Sequence, residues 1–215
     1  MANTPVQTYY KNLAETTMKN LTRRGFDACY AETAEEALTL AKSFIKPGSK
    51  VSNGGSVTLS EIGLMDEFQA EDKDFTYLDR KKPQTQEEQD AFWAQVFTCD
   101  TYFASCNAIT TDGLLVNIDG TCNRVAAMLF GPKEVVLITG MNKVCLDLDS
   151  AYKRVKMSAA PPNCNRLGRQ TPCAVTGKCG DCLSPDCICT ATVVTRRPNK
   201  PHRVKIILVG EALGY

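Results

Sequence analysis

The rhythm of apolar and polar positions changes several times along the chain, and each change predicts an element. From residue 6 to about 25 the spacing is helical, with Leu13, Thr17 and Leu21 on one face and Gly25 placed as a C-cap. FDACYAE then reads as a short strand. Thr33 and Glu36 form a T-x-x-E capping box that opens a helix through AEEALTLAKSFI, which stops at Pro47-Gly48. Lys50 to Ser52 ends a strand, Asn53-Gly54-Gly55 turns the chain, and a helix starts near Thr58. TYLDR is a strand, and QTQEEQDAFWAQVFTCD an amphipathic helix with Phe92, Val96 and Trp93 inward. YFASCNAIT and LLVNID are two strands around Thr111-Asp112-Gly113, a hairpin signal. NRVAAMLF is a short helix closed by Gly131-Pro132. KEVVLITG is a continuous apolar run, as a strand buried on both faces requires. DLDSAYKRVKMSAA is a helix ended by Pro161-Pro162, and TATVVTRR and RVKIILVGE read as a final strand pair. The basic run Arg196 to Lys205 between them suits a solvated hairpin tip. Helices alternating with strands predict one α/β domain over residues 1–215, with a cysteine-rich loop, about 161–190, inserted before the last strands.

Composition narrows the classes of function. At 215 residues, 43% hydrophobic and 23% charged, the chain is ordinary for a globular domain. A net charge of +1 argues against nucleic acid as a partner, because duplex binding needs many phosphate-neutralising residues on one face. The opening residues lack the apolar core of a signal peptide, and no apolar run is long enough for a membrane span. These features predict a cytoplasmic location, where thiols stay reduced.

That location changes the meaning of eleven cysteines. Six lie between Cys164 and Cys189, separated by Pro172, Gly177, Gly180 and Pro185, which fold a chain back on itself without a core. In a reducing compartment such a cluster points to metal binding or redox chemistry rather than a disulfide framework. Cys29, Cys99, Cys106, Cys122 and Cys145 sit in apolar or small-residue contexts and read as packed thiols.

Two other stretches carry candidate chemistry. In the first, Asn53, Gly54, Gly55, Ser56 and Thr58 form a strand–turn–helix junction whose backbone N–H groups suit a bound carboxylate or phosphate. Glu61 there is either an acid, base or nucleophile, or the end of a Thr58-x-x-Glu61 capping box. In the second, Asn117, Asp119, Gly120, Thr121, Asn123 and Arg124 turn a strand into a helix. Arg124 offers a planar fork for a carboxylate, and Asp119 is a catalytic candidate or a turn former. Lys133 and Lys143 either add positive charge or face water. A lone histidine, His202, disfavours a hydrolase triad, and no G-x-G-x-x-G or P-loop motif marks NAD or ATP.

SNGGSVTLSEIGLM, SCNAITTDGLLVNIDGTCNRVAAMLFGPKEVVLITGMNK, TPCAVTGKCGDCLSPDCIC and ILVGEALGY together resemble the LUD domain, the lactate-utilisation protein family. The resemblance covers nearly the whole chain. It implies a three-layer, Rossmann-like mixed sheet flanked by helices, similar to CoA transferases, ribose-5-phosphate isomerase and glucosamine-6-phosphate deaminase. Ligands in such folds sit where loops converge at the ends of parallel strands. It also implies a role in oxidation of lactate to pyruvate beside iron–sulfur and other redox subunits, with a small anionic metabolite as ligand. The alternatives are a non-catalytic accessory or electron-transfer subunit, and an isomerase- or transferase-like enzyme acting on a CoA- or sugar-phosphate-like substrate. The family pattern matches at Cys173, Cys179, Cys182 and Cys189, and departs from it at Cys187. Four thiolates spaced C-x5-C-x2-C-x6-C suit an iron–sulfur cluster or, alternatively, zinc, although the spacing is that of neither a ferredoxin nor a zinc ribbon.

Overall fold

A computed structural model describes residues 4–215. In chain order it runs α1 (Pro5–Arg23), β1 (Asp27–Ala31), α2 (Ala34–Ser43), β2 (Lys50–Asn53), α3 (Val57–Glu61), α4 (Leu64–Gln69), β3 (Thr76–Leu78) and α5 (Gln86–Val96). Then follow β4 (Thr101–Ala104), β5 (Ala108–Thr110), β6 (Leu115–Asp119), α6 (Asn123–Leu129), β7 (Glu134–Gly140) and β8 (Val144–Cys145). The chain ends with α7 (Leu148–Arg154), α8 (Ala160–Arg166), α9 (Pro172–Thr176), β9 (Ala191–Thr195) and β10 (Val204–Val209).

Six strands form a parallel sheet in the order β1-β10-β7-β4-β2-β3. Successive side chains on a strand point to opposite faces, so the central strands must be apolar throughout. Tyr102, Ala104, Val135, Leu137, Ile206 and Leu208 pack on one face with Leu21 of α1, Phe92 and Val96 of α5 and Met128 of α6. Phe103, Val136, Ile138, Ile207 and Val209 pack on the other with Ala37 and Ala41 of α2, Leu59 of α3 and Phe68 of α4. Fully burying side chains of this size contributes roughly 1.5–3 kcal/mol each. The expected helix–sheet–helix layering is therefore present.

A second sheet, β8-β5-β6-β9, joins at the C-terminal side of the first. The β5–β6 hairpin turns at the expected Thr111-Asp112-Gly113, and β9 pairs antiparallel with β6. Two sequence expectations fail here. YFASCNAIT is two strands in different sheets, broken at Ser105-Cys106-Asn107. The last two strands do not pair with each other either: β9 lies in the small sheet, whereas β10 lies between β1 and β7. The basic run between them is a connection from sheet to sheet rather than a hairpin tip.

Two helix expectations also change. The chain does not end its helix at Pro161-Pro162. Val155–Ala159 forms one wide π turn, after which α8 starts afresh with proline in its first turn. Proline is tolerated there because that N–H has no intrahelical acceptor, and the π turn resets the register that an unbroken α-helix would violate. The segment 161–190 is thus partly helical. Thr33 does cap α2, accepting from Glu36 N at 3.2 Å, but the Glu36 carboxylate accepts from Glu32 N, one residue before the cap.

Candidate anion-binding site

The C-terminal ends of β2, β4, β7 and β10 converge on one edge of the parallel sheet, with the end of β6 beside them. Chain leaving β7 through Gly140-Met141-Asn142 brings Lys143 inward. Its side chain is 3% exposed, and Nζ donates to Thr58 Oγ1 at 2.9 Å and Ser105 Oγ at 3.2 Å. Among the described residues no carboxylate lies within ion-pairing distance of it. Burial, reinforced by the nearby Arg154 guanidinium, lowers the Lys143 amine to about 8. Arg154 stands where α7 gives way to the π turn, and donates to Asn142 O at 3.0 Å and Asn107 O at 2.5 Å. It too has no carboxylate partner among the described residues, and its Nη2 donates to none of them. Lys143 and the half-buried Arg154 thus make their direct hydrogen bonds to neutral groups, with Glu61 near enough to offset part of the Lys143 charge, and an anion would complete this environment.

The segment after β10 covers Lys143. Gly214 N donates to Glu61 Oε2 at 2.5 Å, and Asn142 Nδ2 donates to Gly214 O at 3.2 Å. Gly214 has φ +55°, and a Cβ there would lie 2.6 Å from Thr58 Oγ1 and 3.1 Å from Lys143 Nζ. Only glycine both adopts this conformation and lets the backbone close this tightly over Thr58 and the amine. Glu61 is therefore a tether for the 213–215 segment. The alternative T-x-x-E capping box is not formed: Ser56 caps α3 by accepting from Leu59 N, and Thr58 is wholly buried against Lys143.

The remaining sequence candidates serve other partners. Gly54 N donates to Phe103 O at 2.8 Å, and Ser56 heads a helix of only five residues, so this junction offers less to an anion than its sequence suggests. A Cβ on Gly54 would meet Arg124 Cγ at 2.9 Å and the Tyr102 hydroxyl at 3.0 Å, so the glycine admits protein rather than ligand. Asn53 is nearly buried; its Oδ1 accepts from the Tyr77 hydroxyl at 2.6 Å and its Nδ2 donates to Gly54 O. Gly55 is exposed beside Arg80.

Asp119 has both oxygens engaged: Oδ1 accepts from Thr121 N and Cys122 N, and Oδ2 from Val125 N, each at 3.1 Å. This is the turn-forming role. Thr121 is exposed, and Asn123 Oδ1 accepts from Arg124 N. The Arg124 fork is filled by the protein itself, donating to Ser105 O, Asn117 Oδ1, Asn107 Oδ1 and Ile118 O, with Asp119 at 3.7 Å. It ties β4, β6 and α6 together and so sets the floor of the site. Lys133 precedes β7 at the opposite end of the sheet, paired with Asp100 and 74% exposed. Lys133→Ala is expected to leave carboxylate binding unchanged in a titration and to shift the midpoint of a urea melt little, since an exposed ion pair is screened by solvent.

Tyr102 lies under Gly54 with its hydroxyl buried and, among the described residues, without a hydrogen-bond partner. Removing an unsatisfied buried hydroxyl relieves its desolvation cost, so Tyr102→Phe is expected to be neutral or to stabilise by about 1 kcal/mol in the same melts.

The cysteine segment borders this region. Thr190 Oγ1 donates to Gly120 O at 2.7 Å, and Ile188 Cα lies 3.0 Å from where a Gly120 Cβ would be. Cys164 and Cys173 place their sulfurs 3.7 Å apart, and burial with Cys187, Cys164 and Cys179 nearby pushes the Cys189 thiol up to about 12. Among the described residues, however, no three Cys, His, Asp or Glu side chains are grouped to hold a metal ion. Cys173, Cys179, Cys182 and Cys189 supply suitable soft donors, but as arranged they do not fit an iron–sulfur cluster or zinc. Cys106, beside Asn117, is pushed up to about 11 by burial, which makes it an inert thiol.

Sequence reasoning missed Ser105, Asn107, Arg154 and Gly214, and left Lys143 undecided. One signal was available: Gly-Met-Asn-Lys directly follows the most apolar strand, where ligand sites of parallel sheets occur. No described helix is long and apolar enough to cross a membrane.

Comparison with known proteins agrees with this architecture. No curated protein matches the sequence. A DUF162 family protein from Deinococcus radiodurans, DUF162 being the LUD domain, has a similar structure: TM-score 0.54 and 11% identity over 93% of this chain and 98% of that one. At that identity the likeness speaks for the fold alone. The eIF2B beta structure from Chaetomium thermophilum overlaps less, with a TM-score of 0.38 and 18% identity over 54% of this chain and 44% of that one, and bears no argument. The LUD domain model matches residues 14–209, and the chain belongs to that family.

Proposed function

We propose that the chain serves lactate utilisation by binding a small 2-hydroxy- or 2-oxocarboxylate at the edge formed by Lys143, Arg154, Thr58 and Ser105. The observation that carries this reading is that buried Lys143 and half-buried Arg154 make, among the described residues, no ion pair with a carboxylate. A carboxylate placed there gains charge-assisted hydrogen bonds while repaying the desolvation of both cations. Membership of the LUD family supports the metabolic setting. Oxidation of lactate to pyruvate releases two electrons and two protons, and the proposal assigns the electrons to redox subunits acting beside this chain in the cytoplasm.

Equilibrium dialysis of labelled L-lactate and pyruvate against the purified protein tests the reading. Saturable binding of either acid at one site per chain is expected, and absence of binding by both would refute it. Lactate-dependent dye reduction, with and without redox partners, then separates the roles: turnover by the chain alone would exclude a purely accessory part. That the cysteine segment rearranges to take up iron–sulfur or zinc is a separate proposal, supported by its soft donors. Metal analysis and a visible spectrum of anaerobically purified protein test it, and a colourless, metal-free protein would end it.

A further inference from the structure

We propose that an arginine-lined cleft at the other end of the large sheet from Lys143 binds a small molecule through its diphosphate group. The cleft has a volume of about 450 Å³ and is lined by Arg23, Arg24, Gly25, Arg196 and Arg197. Its residues lie at the end of α1, just before β1 begins, and in the chain that leads into β10, so it sits where parallel strands start. The end of α1 is pinned to the β5–β6 hairpin: Asn20 Nδ2 donates to Thr111 O at 2.9 Å, and Arg24 Nε to Asp112 O at 2.6 Å. Close packing fixes the same joint, because a Cβ on Gly113 would stand 3.0 Å from the backbone of Asn20 and Leu21. The chain leaving β9 is held beside that hairpin, since β9 pairs with β6 as far as Thr195 opposite Leu115. It then meets the end of α1, where buried Pro198 lies 3.8 Å from the place of a Gly25 Cβ. Two arginine pairs far apart in sequence thereby line one concavity.

The charge there is only partly used by the protein. Arg24 is committed, its Nη2 donating to Asp112 Oδ2 at 2.8 Å. Arg23, Arg196 and Arg197 are exposed and pair with no carboxylate among the described residues. Other cations of the same basic run serve the fold: Arg203 donates to the carbonyls of Ala127, Met128 and Pro132, and His202 and Lys205 both sit on Asp27. A helix C-terminus favours cations such as Arg23 and Arg24 by itself, but Arg196 and Arg197 belong to no helix. Like charges gathered in one concavity repel one another and concentrate a field that draws anions. Guanidinium forks match phosphate oxygens in pairs, so two linked phosphates can engage both walls at once. A lone phosphate group carries at most about two negative charges and leaves one of the three uncommitted arginines unmatched. The volume is that of a small-molecule site, whereas duplex binding needs cations spread along a face.

Equilibrium dialysis of inorganic pyrophosphate, ADP and orthophosphate against the full-length protein at about 150 mM salt is the test. Pyrophosphate and ADP should saturate at one site per chain, with orthophosphate at least about tenfold weaker. ADP binding tighter than pyrophosphate assigns the group to a nucleotide and the reverse to the free ion, each upholding the proposal. Arg196→Gln with Arg197→Gln should weaken binding by about tenfold or more, the worth of one hydrogen bond to a charged group, and Arg23→Gln likewise. Lys200→Gln, outside the lining, should change it little. All four residues are exposed, so urea melts of these variants should match the parent. No binding, orthophosphate as tight as pyrophosphate, or affinity untouched in both arginine variants would overturn the proposal. So would a single-stranded oligonucleotide that binds more tightly than pyrophosphate and loses as much to Lys200→Gln, which would make the run a surface for an extended polyanion.

Discussion

Lys143→Met is expected to reduce lactate affinity by about a hundredfold or more while leaving the protein as stable as before, or more so. The binding loss follows because truncating one partner of a desolvated charge pair costs about 2–5 kcal/mol. The stability result follows from the opposite arithmetic in the unliganded protein. At neutral pH the native state keeps a buried ammonium whose proton affinity has dropped from 10.5 to about 8, a penalty on the order of 3 kcal/mol. Methionine fills nearly the same volume without the charge, at the loss of two hydrogen bonds to hydroxyls worth about 1 kcal/mol each. Urea melts and dialysis on the same preparations check both halves. A variant that unfolds, or one that binds lactate as the parent does, would show that Lys143 is structural.

The sign of the pH dependence gives an independent check. Between pH 8 and 10.5 the unfolded chain holds a proton on Lys143 that the native state has released, so native stability from this group rises with pH across that window. Below pH 8 both states are protonated and the contribution is level. Lys143→Met should remove the rise. Lactate binding should run the other way, because the anion favours the ammonium: affinity should fall as pH passes 8, approaching about tenfold per unit beyond it. Lactate affinity that stayed constant from pH 7 to 10 would mean that the ammonium plays no part in the complex.

Patterning made the large sheet's elements readable in the sequence, because burial on both faces leaves an unmistakable run. KEVVLITG became a central strand and RVKIILVGE its neighbour. The pairing of RVKIILVGE was lost, since adjacency in sequence favoured TATVVTRR, yet the two differ in kind. Val204–Val209 is nearly all buried, whereas Ala191–Thr195 is half exposed, as a strand of the small, one-sided sheet must be. The π turn at Val155–Ala159 could not be read locally, because it arises from the conflict between the helix and the two prolines that follow. At the site, residue type identified groups able to hold an anion without saying whether protein already occupied them. Arg124 and Asp119 are engaged by backbone and amide groups; Lys143 and Arg154, equally ordinary in sequence, are the ones with charge to spare.

Arg124→Met should be the most destabilising single change at this edge, lowering unfolding free energy by about 3–5 kcal/mol. The guanidinium is 13% exposed and serves four acceptors from two segments: the carbonyls of Ser105 and Ile118 and the side-chain oxygens of Asn107 and Asn117. Methionine keeps the stem that packs on Gly54, so the loss isolates the polar fork. It strands two buried carbonyls and leaves Asp119 without its nearest cation. Arg124→Lys should recover less than half of the deficit, because a point charge cannot span acceptors arranged for a planar fork. Affinity measured on the folded fraction separates this role from ligation. A guanidinium committed to the protein predicts lactate affinity within about threefold of the parent once unfolding is accounted for, since its effect reaches the ligand only through Ser105 and Asn107. Loss of binding in a variant of undiminished stability would make Arg124 a ligand group and move the carboxylate site toward Asn117 and Gly120.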